Sequence, residues 1–410
     1  MLFSFFFFVN AFKAVTLQKV LNLKRLNIKH QISNFSQRFM LLKRLNIVNY
    51  RNIAQADLEF SQNVNCFVGA NGMGKTNLLD AICYLSFCKS TFNPTDSQII
   101  RHGEDFFMLD GSYESHDGVG ENVVCSVQHG APKRLTKNGK RMQRISDHLG
   151  SIPLVMISPR DSELVSGVSE ERRRFLDAAI SQYDKIYLAS LIRYENALKQ
   201  RNAIMRQEDV EPDWELVSVL EEQMSAEADV IFFARRDFTI EFVPIFKKIY
   251  SLLCDNEAEA LNVEIEYESH LQRGPLKSQL EGFRDKERIV GYTLHGVHKD
   301  ELQLLLGGYP VRREGSQGQT KTYSIAMKLA QFVFLKNRGE QRIPLLLLDD
   351  VFDKLDAGRV GRIVDYVSGD VFGQIFITDT DRSRLNRILN ATKRDYKLFQ
   401  VVNGSVREAK

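Results

Sequence analysis

Two regions of alternating apolar and polar residues flank a long region whose apolar residues recur at helical spacing. After Met40 the alternation predicts strands in LLKRLNIVNY and ADLEFSQNVNCFVG, and then through FFMLDGSYE and NVVCSVQHG to a hairpin turn in KNGK. From about Ser169 to Arg288 the chain is charged and poor in glycine, and Phe175, Leu176, Ala179 and Ile180 follow the period of a helix. The pattern predicts a helical lobe inserted behind a strand-rich half.

A second strand-rich half follows the helical region. Strands are predicted in YTLHGVHKDELQLLLGG, a helix in TKTYSIAMKLAQFVFLK, and buried parallel strands in IPLLLLDD and GQIFITD. We therefore expect an α/β protein with an N-terminal extension (1–39), an N-terminal half (40–165), a helical lobe (166–288) and a C-terminal half (289–410). At 410 residues and 43% hydrophobic content the chain is long enough for two or three lobes with a large core.

Residues 1–39 differ from the rest in charge. They contain six basic residues and no acidic one, so the formal net charge of +3 becomes −3 for the remainder. Their apolar run is too short to span a bilayer, and LLKRLNIV directly after Met40 repeats the earlier NLKRLNI. We expect translation to start at Met40, the extension to be dispensable, and no membrane association.

The cysteines and the charge limit the kinds of site to expect. Five cysteines without a CxxC pair indicate reduced thiols in the cytoplasm, with neither a disulfide framework nor a zinc site. A body with a slightly negative charge does not attract polyanions in general, so any nucleic-acid binding must come from a local basic patch.

A phosphate-binding loop follows the strand VNCFV. The sequence GANGMGKT matches G-x-x-x-x-G-K-[ST] between a strand and a helix, which is the context that this motif requires. Lys75 is expected to neutralise the β- and γ-phosphates of ATP, and Thr76 to bind Mg²⁺. The predicted nucleotide-binding residues are Gly69, Ala70, Asn71, Gly72, Met73, Gly74, Lys75, Thr76 and Asn77.

Two carboxylates end the apolar run IPLLLLDD, where a magnesium ligand belongs beside the phosphate loop. Asp349 is the predicted Mg²⁺ ligand, and Asp350 is the predicted base that polarises the attacking water. Two aspartates can also simply end a strand in a turn. FDKLD follows at the spacing of the D-loop of ATP-binding-cassette proteins, with Leu355 and Asp356 as its candidate interface residues.

A third motif, GSQGQTK, opens the helix TYSIAMKLAQF and is similar to the cassette signature. In that family a serine and a helix N-terminus contact the γ-phosphate bound by the opposite subunit. The residues concerned are Ser316, Gln317, Gly318 and Gln319. Alone, SQGQ is typical of an ordinary capped helix, and it is the order of the three motifs that favours the signature.

Three other kinds of protein share part of this pattern. A metabolite kinase has a phosphate loop but no use for SQGQ, and a transporter ATPase subunit lacks the long helical insert. The third alternative, an SMC-like ATPase of another DNA-maintenance or defence system, is not excluded by these motifs. The insert of roughly 120 residues allows each arm of a coiled coil at most about 60 residues, or about 90 Å of helix, which is too short for a long SMC arm.

Further motifs make the resemblance specific. LKRLNIVNYRN, GANGMGKTNLLDAICYLSFCKS, SPRD, ERRRFLD, LKQRNA, HGVHKDEL, SQGQTK and LLLLDDVFDKLD resemble, in order, motifs of the RecF family of bacterial recombination mediator ATPases, from Met40 to about Val402. The resemblance implies an ABC/SMC-like head with a short helical lobe, ATP-dependent homodimers, slow hydrolysis, and binding to gapped or single-strand/double-strand junction DNA. It also implies mediator proteins and a recombinase as partners. Thr378-Asp379-Thr380 stands where transporters place a switch histidine, so that role is unassigned.

Two clusters of basic residues are candidates for DNA contact. One cluster lies in the predicted hairpin and the other in the helical lobe. Runs of charged residues are more often simply exposed to solvent than bound to phosphate. The residues selected are Lys137, Lys140, Arg141, Lys199 and Arg201.

Overall fold

The computed structural model divides the chain into two units, Met1–Arg38 and Phe39–Lys410. It describes residues 38–92, 95–115, 117–207, 209–254, 259, 262–338, 342–353, 355, 357–367, 369, 372–392 and 395–409. Residues 1–37 lie outside the described residues, and so do the expectations for the N-terminal extension. Only residues 38 and 39 of the extension are described, at the start of the first strand.

The described strands fall into three sheets. Their bounds are β1 Arg38–Tyr50, β2 Ile53–Glu59, β3 Val64–Val68, β4 Phe106–Ser115, β5 Gly120–Gln128, β6 Arg134–Lys137, β7 Lys140–Arg141, β8 Leu154–Ile157, β9 Val263–Glu268, β10 Glu301–Leu306, β11 Tyr309–Pro310, β12 Arg342–Ile343, β13 Leu345–Asp349, β14 Ile375–Asp379, β15 Tyr396–Val402 and β16 Ser405–Ala409. The predicted KNGK turn is confirmed, because it joins β6 and β7 as an antiparallel hairpin.

The described helices lie between these strands. Their bounds are α1 Lys75–Phe87, α2 Ile145–His148, α3 Ser162–Ser166, α4 Ser169–Ile180, α5 Lys185–Met205, α6 Trp214–Leu253, α7 Leu276–Val290, α8 Val311–Glu314, α9 Gln317–Arg338, α10 Ala357–Val367 and α11 Arg382–Thr392. Within the described ranges, no helix is both long and apolar enough to cross a membrane.

The central sheet has the order β16-β15-β3-β14-β13-β8 and is parallel apart from the β15–β16 pair. The strands β3, β14, β13 and β8 are buried on both faces. In β13, Leu346 and Leu348 pack into the core shared with the helical lobe, whereas Leu345 and Leu347 pack into the core shared with α1. The uninterrupted run of leucines is explained by this burial on two sides.

A second, seven-stranded sheet has the order β12-β1-β4-β5-β6-β7, with β2 paired to β1. It contributes to the same core as α1. Alternate residues of β4 and β5, such as Phe107, Leu109, Val123 and Cys125, are buried in that core. The sheet ends at the short strand β7, whose two residues Lys140 and Arg141 are exposed.

The helical region differs from the prediction in one respect. The segment VEIEYE forms β9, which pairs with β10 across the expected boundary at residue 288, and β11 completes a three-stranded sheet. The alternation in β9 covers only six residues, too few to stand out within a helical pattern.

The strand predicted to begin at Tyr292 begins only at Glu301. Gly296, with φ 133°, introduces a 3₁₀ turn over Val297–Lys299 instead. Arg235 of α6 holds this turn by donating to the carbonyl of Val297 at 2.8 Å and to Oδ2 of Asp300 at 2.7 Å. The HGVHKD motif therefore ties the long helix α6 to the start of β10.

Candidate nucleotide-binding site

The motifs converge at the carboxyl edge of the central sheet. There β14 lies between β3 and β13, with Thr378 paired to Asp349 and Asp379 paired to Val68. Because parallel strands end at the same edge, the phosphate loop after β3 and the carboxylates after β13 become neighbours. The candidate site is built where these ends meet.

Backbone contacts dictate glycine at several positions of the phosphate loop. Gly72 and Gly74 have φ values of 78° and 110°, a region that side-chain-bearing residues rarely adopt. A Cβ on Gly74 would lie 2.8 Å from the amide of Asn52, and one on Gly69 would collide with the carbonyl oxygen of Val401. The loop is thus held between the β1–β2 turn and β15.

Lys75 begins α1 and its side chain is 3% exposed. Its Nζ donates to the carbonyls of Gly69 at 2.9 Å and Ala70 at 3.2 Å, and lies 3.8 Å from Oδ2 of Asp350. The ammonium group therefore sits inside the curl of the loop, where phosphate oxygens are bound in proteins with this motif.

Thr76 and Asp349 form the candidate magnesium site. The Thr76 hydroxyl donates to Oδ1 of Asp349 at 3.0 Å, and Asp349 is 3% exposed. Burial, together with the nearby charge of Asp350, raises the pKa of Asp349 to about 6. A hydroxyl and a desolvated carboxylate side by side are the oxygen ligands that Mg²⁺ takes next to phosphates, so these residues fit the ion.

Asp350 turns the chain at the end of β13. Its φ is 44°, a left-handed conformation that is unusual for a residue with a side chain. Its N–H donates to the hydroxyl of Thr378 at 2.9 Å, and its carboxylate is partly exposed beside Lys75. The carboxylate therefore lies between the ammonium group of Lys75 and solvent.

The signature residues form the capped start of α9. The Ser316 N–H donates to Oε1 of Gln319 at 2.8 Å, and the Gln319 N–H donates to Oγ of Ser316 at 3.2 Å, which is a reciprocal capping box. Ser316 and Gln317 are exposed, and Gly318 lies against the guanidinium of Arg359. In the described part of the chain, no hydrogen bond of Ser316 or Gln319 reaches the phosphate loop.

The candidate D-loop continues from Asp350. The Asp353 N–H donates to the carbonyl of Asp350 at 3.3 Å, and Lys321 of α9 donates to the carbonyl of Asp353. Leu355 is partly buried against the core, whereas Asp356 lies outside the described residues. This loop links the carboxylates to the signature helix within one chain.

The structure separates the candidate DNA-contact residues. Lys140, Arg141 and Lys199 are exposed, while Lys137 pairs with Glu121 at 2.7 Å. The expectation for Arg201 is wrong, because its side chain is 0% exposed, donates a hydrogen bond to Glu221 at 2.8 Å and forms an ion pair with Glu287 at 2.6 Å. A guanidinium committed to two buried carboxylates is not available to a phosphate.

Three residues that support the site carry no signal in the sequence motifs. Asn52 donates to the carbonyl of Met73 at 3.2 Å and accepts from Asn77 at 2.7 Å. The Gly404 N–H donates to the same Met73 carbonyl at 2.8 Å. Thr378 contacts both carboxylate residues. Each contacts residues that are distant in the sequence, so only the folded chain brings the partners together.

Known proteins are similar to this chain over most of its length. The chain is 54% identical over 371 residues to the DNA replication and repair protein RecF of Phocaeicola vulgatus, covering 90% of this chain and 99% of that protein. With RecF of Bacteroides thetaiotaomicron the identity is 52% over 369 residues, covering 90% and 99%. The chain belongs to the RecF family. In addition, an AAA domain model matches residues 44–209.

Solved structures agree with this assignment. A structure of the recombination mediator protein RecF with ATP in the RecFOR pathway has a TM-score of 0.81 at 27% identity, covering 93% of this chain and 100% of that one. An Smc head domain from Pyrococcus furiosus, bound to the C-terminal domain of ScpA, has a TM-score of 0.54 at 16% identity, covering 90% and 96%. The predicted ABC/SMC-like ATPase head is confirmed. Membership of the RecF family also excludes the two alternatives of a metabolite kinase and a transporter ATPase subunit.

Proposed function

We propose that this RecF-family chain is a DNA replication and repair protein in which ATP acts as a switch for homodimerisation on DNA. The observation that carries the proposal is that the phosphate loop and its carboxylates lie together, whereas the signature residues make no hydrogen bond to them in the described part of the chain. Lys75, Thr76, Asp349 and Asp350 share one edge of the sheet, while the exposed Ser316 cap makes no hydrogen bond to the phosphate loop within the described part of its own chain. A γ-phosphate held by one chain then completes its contacts only with the Ser316 helix start of a second chain.

The residues divide the work at the phosphates. The N–H groups of Gly69–Gly74 and the ammonium of Lys75 bind and orient the phosphate chain, and Thr76 and Asp349 would hold Mg²⁺. The ion held there would supply positive charge that offsets the charge of the phosphates. The D-loop segment that contains Leu355 would lie at the interface with the second chain. In this account, affinity between the chains rises with ATP and falls after hydrolysis.

Asp350 is proposed to polarise the attacking water. Its carboxylate lies near Lys75 and is only partly shielded from solvent, and its left-handed backbone fixes the direction of the side chain. An aspartate is one methylene shorter than the glutamate that most cassette ATPases use. Slow, DNA-stimulated ATP hydrolysis is therefore expected, which suits a switch better than a motor.

The DNA surface is proposed on the β6–β7 hairpin and α5. Arg134, Lys140, Arg141 and Arg144 are exposed, with no ion pair among the described residues, and Lys199 is an exposed cation on α5. Lys137 is the weakest of the retained candidates, because Glu121 competes for it. Two copies of this surface brought together by ATP would give a positive region that a single body, with its slight negative charge, lacks. Gapped or junction DNA, mediator proteins, a recombinase and a cytoplasmic location complete the proposal.

DNA binding is expected to require ATP and to weaken steeply with salt. The double variant Lys140→Ala/Arg141→Ala should lower the slope of log affinity against log salt by about 0.9 for each phosphate that is no longer neutralised. The measurement is fluorescence anisotropy with gapped, fully duplex and single-stranded DNA over a salt series, with and without ATP. Lys247→Ala/Lys248→Ala, on an exposed part of α6, is the matched control and should leave the slope unchanged. Equal affinity with and without ATP contradicts the proposal.

A further inference from the structure

Thr378 is the residue of β14 that stands opposite Asp349 in the parallel register. Its side chain is fully buried, with 0% exposure, so it cannot touch ATP directly. Its neighbours are nevertheless the two carboxylate residues of the candidate site. A buried hydroxyl in such a place needs partners, and both of its partners belong to the site.

One hydroxyl group serves both aspartates. Thr378 Oγ1 donates to Oδ1 of Asp349 at 2.8 Å and accepts from the N–H of Asp350 at 2.9 Å. A hydroxyl has one proton to give and lone pairs to accept with, so the two bonds are compatible and use opposite capacities of the same atom. Apart from serine, a side chain of this size cannot make both.

The two bonds have different consequences. At Asp349, Oδ1 accepts from Thr76 as well as from Thr378, so the direction of this carboxylate oxygen is set from two sides. At Asp350, the bond holds the N–H of a residue with φ 44°, the point where the chain leaves the strand in a left-handed conformation. That conformation determines where the Asp350 carboxylate lies relative to Lys75, at 3.8 Å.

We propose that Thr378 is a positioning residue that aligns the Mg²⁺ ligand Asp349 and the polarising base Asp350 with each other. It acts from the neighbouring strand, in the segment Thr378-Asp379-Thr380 that stands where transporter cassettes place their switch histidine. The inference rests on the proposed function, because it assumes that Asp349 and Asp350 serve Mg²⁺ and ATP. It adds a residue whose effect reaches both through hydrogen bonds alone.

The test compares Thr378→Val with Thr378→Ser. Valine keeps the shape and removes both hydrogen bonds, whereas serine keeps both. Ser251→Ala is the control, because it also removes a hydroxyl, but one that is exposed near the end of α6 and donates to the carbonyl of Lys248. Calorimetry of ATP binding over a Mg²⁺ series, and in EDTA, separates metal-dependent from metal-independent binding. Steady-state turnover gives kcat and KM.

For Thr378→Val we expect ATP binding in EDTA to stay at the wild-type level. The Mg²⁺ concentration that gives half-maximal enhancement of ATP binding should rise about 10- to 100-fold, and kcat should fall by a similar factor, as is usual when a metal ligand no longer has its supporting hydrogen bond. Thr378→Ser should restore both quantities to within about threefold of wild type, and Ser251→Ala should change neither. A merely structural role would lower the melting temperature without moving the Mg²⁺ dependence.

The outcomes distinguish this inference from the proposed function. If wild type binds no ATP, or binds it without regard to Mg²⁺, the proposed function fails. If wild type depends on Mg²⁺ and Thr378→Val matches it in Mg²⁺ dependence and kcat, only the inference about Thr378 is overturned. Should Thr378→Val not fold, Thr378→Ala removes the same hydroxyl with less constraint on packing and is read by the same criteria.

Discussion

Lys75→Ala is expected to abolish ATP binding at concentrations that saturate the wild type, and with it every ATP-dependent dimer. The ammonium group is buried inside the phosphate loop, and losing one partner of a buried charge pair costs about 2–5 kcal/mol, or at least 30-fold in affinity. Calorimetry with ATP measures the loss directly. The fold should persist, because the hydrogen bonds that Lys75 makes within the chain go to two carbonyls of its own loop.

Lys89→Ala is the matched control for this variant. Lys89 is exposed just after the end of α1, so its removal takes away the same charge without touching the loop. Wild-type ATP affinity is expected for Lys89→Ala. ATP binding by Lys75→Ala at wild-type strength would mean that the phosphate loop does not hold the nucleotide.

Asp350→Asn is expected to separate binding from hydrolysis. The amide keeps the size of the side chain and leaves the Asp350 N–H bonded to Thr378, but it does not accept a proton from water. ATP binding should remain and turnover should fall about 10²- to 10⁴-fold, the range typical of a lost general base. The ATP-bound dimer should therefore live longer on DNA, which stopped-flow dissociation after dilution into excess competitor DNA can follow.

Asp365→Asn provides the comparison, because Asp365 is an exposed carboxylate on α10, outside the phosphate loop, the D-loop and the signature motif. It should hydrolyse ATP at the wild-type rate. Rapid turnover by Asp350→Asn would remove Asp350 from the catalytic role and direct attention to another carboxylate at the same edge, such as Asp379.

The parts of the site that the sequence predicted are those with a local signal. The phosphate loop is a strand, a run of glycines and a helix within a single stretch, and four leucines before Asp349 identify a strand that is buried on both faces. Family resemblance then supplied the order of the motifs. The capping box at Ser316 could also be expected, because SQGQ is by itself a capped helix start.

What the sequence could not predict depends on contacts between distant residues. Thr378 meets Asp350 across 28 positions, and Gly404 supports the loop carbonyl of Met73 from the β15–β16 hairpin. Arg201 lies in a charged segment, so the sequence predicts that it faces solvent. Only the folded structure shows that it is buried and paired with Glu221 of α6 and Glu287 of α7. The six-residue strand β9 lacked enough alternation to be distinguished from its helical surroundings.

The central claim is that ATP joins two chains through a site that neither chain completes alone. Its most direct test is the molar mass in solution, measured by size-exclusion chromatography with light scattering, with and without ATP, for wild type, Ser316→Arg and Ser316→Ala. Wild type should change from monomer to dimer with ATP. Ser316→Arg should bind ATP and stay monomeric, because its bulk occupies the space of the partner's phosphate. Ser316→Ala loses the serine hydroxyl but keeps the N-terminus of the helix, so it should still dimerise, at a higher protein concentration than wild type. A wild type that stays monomeric with saturating ATP, or a Ser316→Arg variant that dimerises normally, would contradict the account.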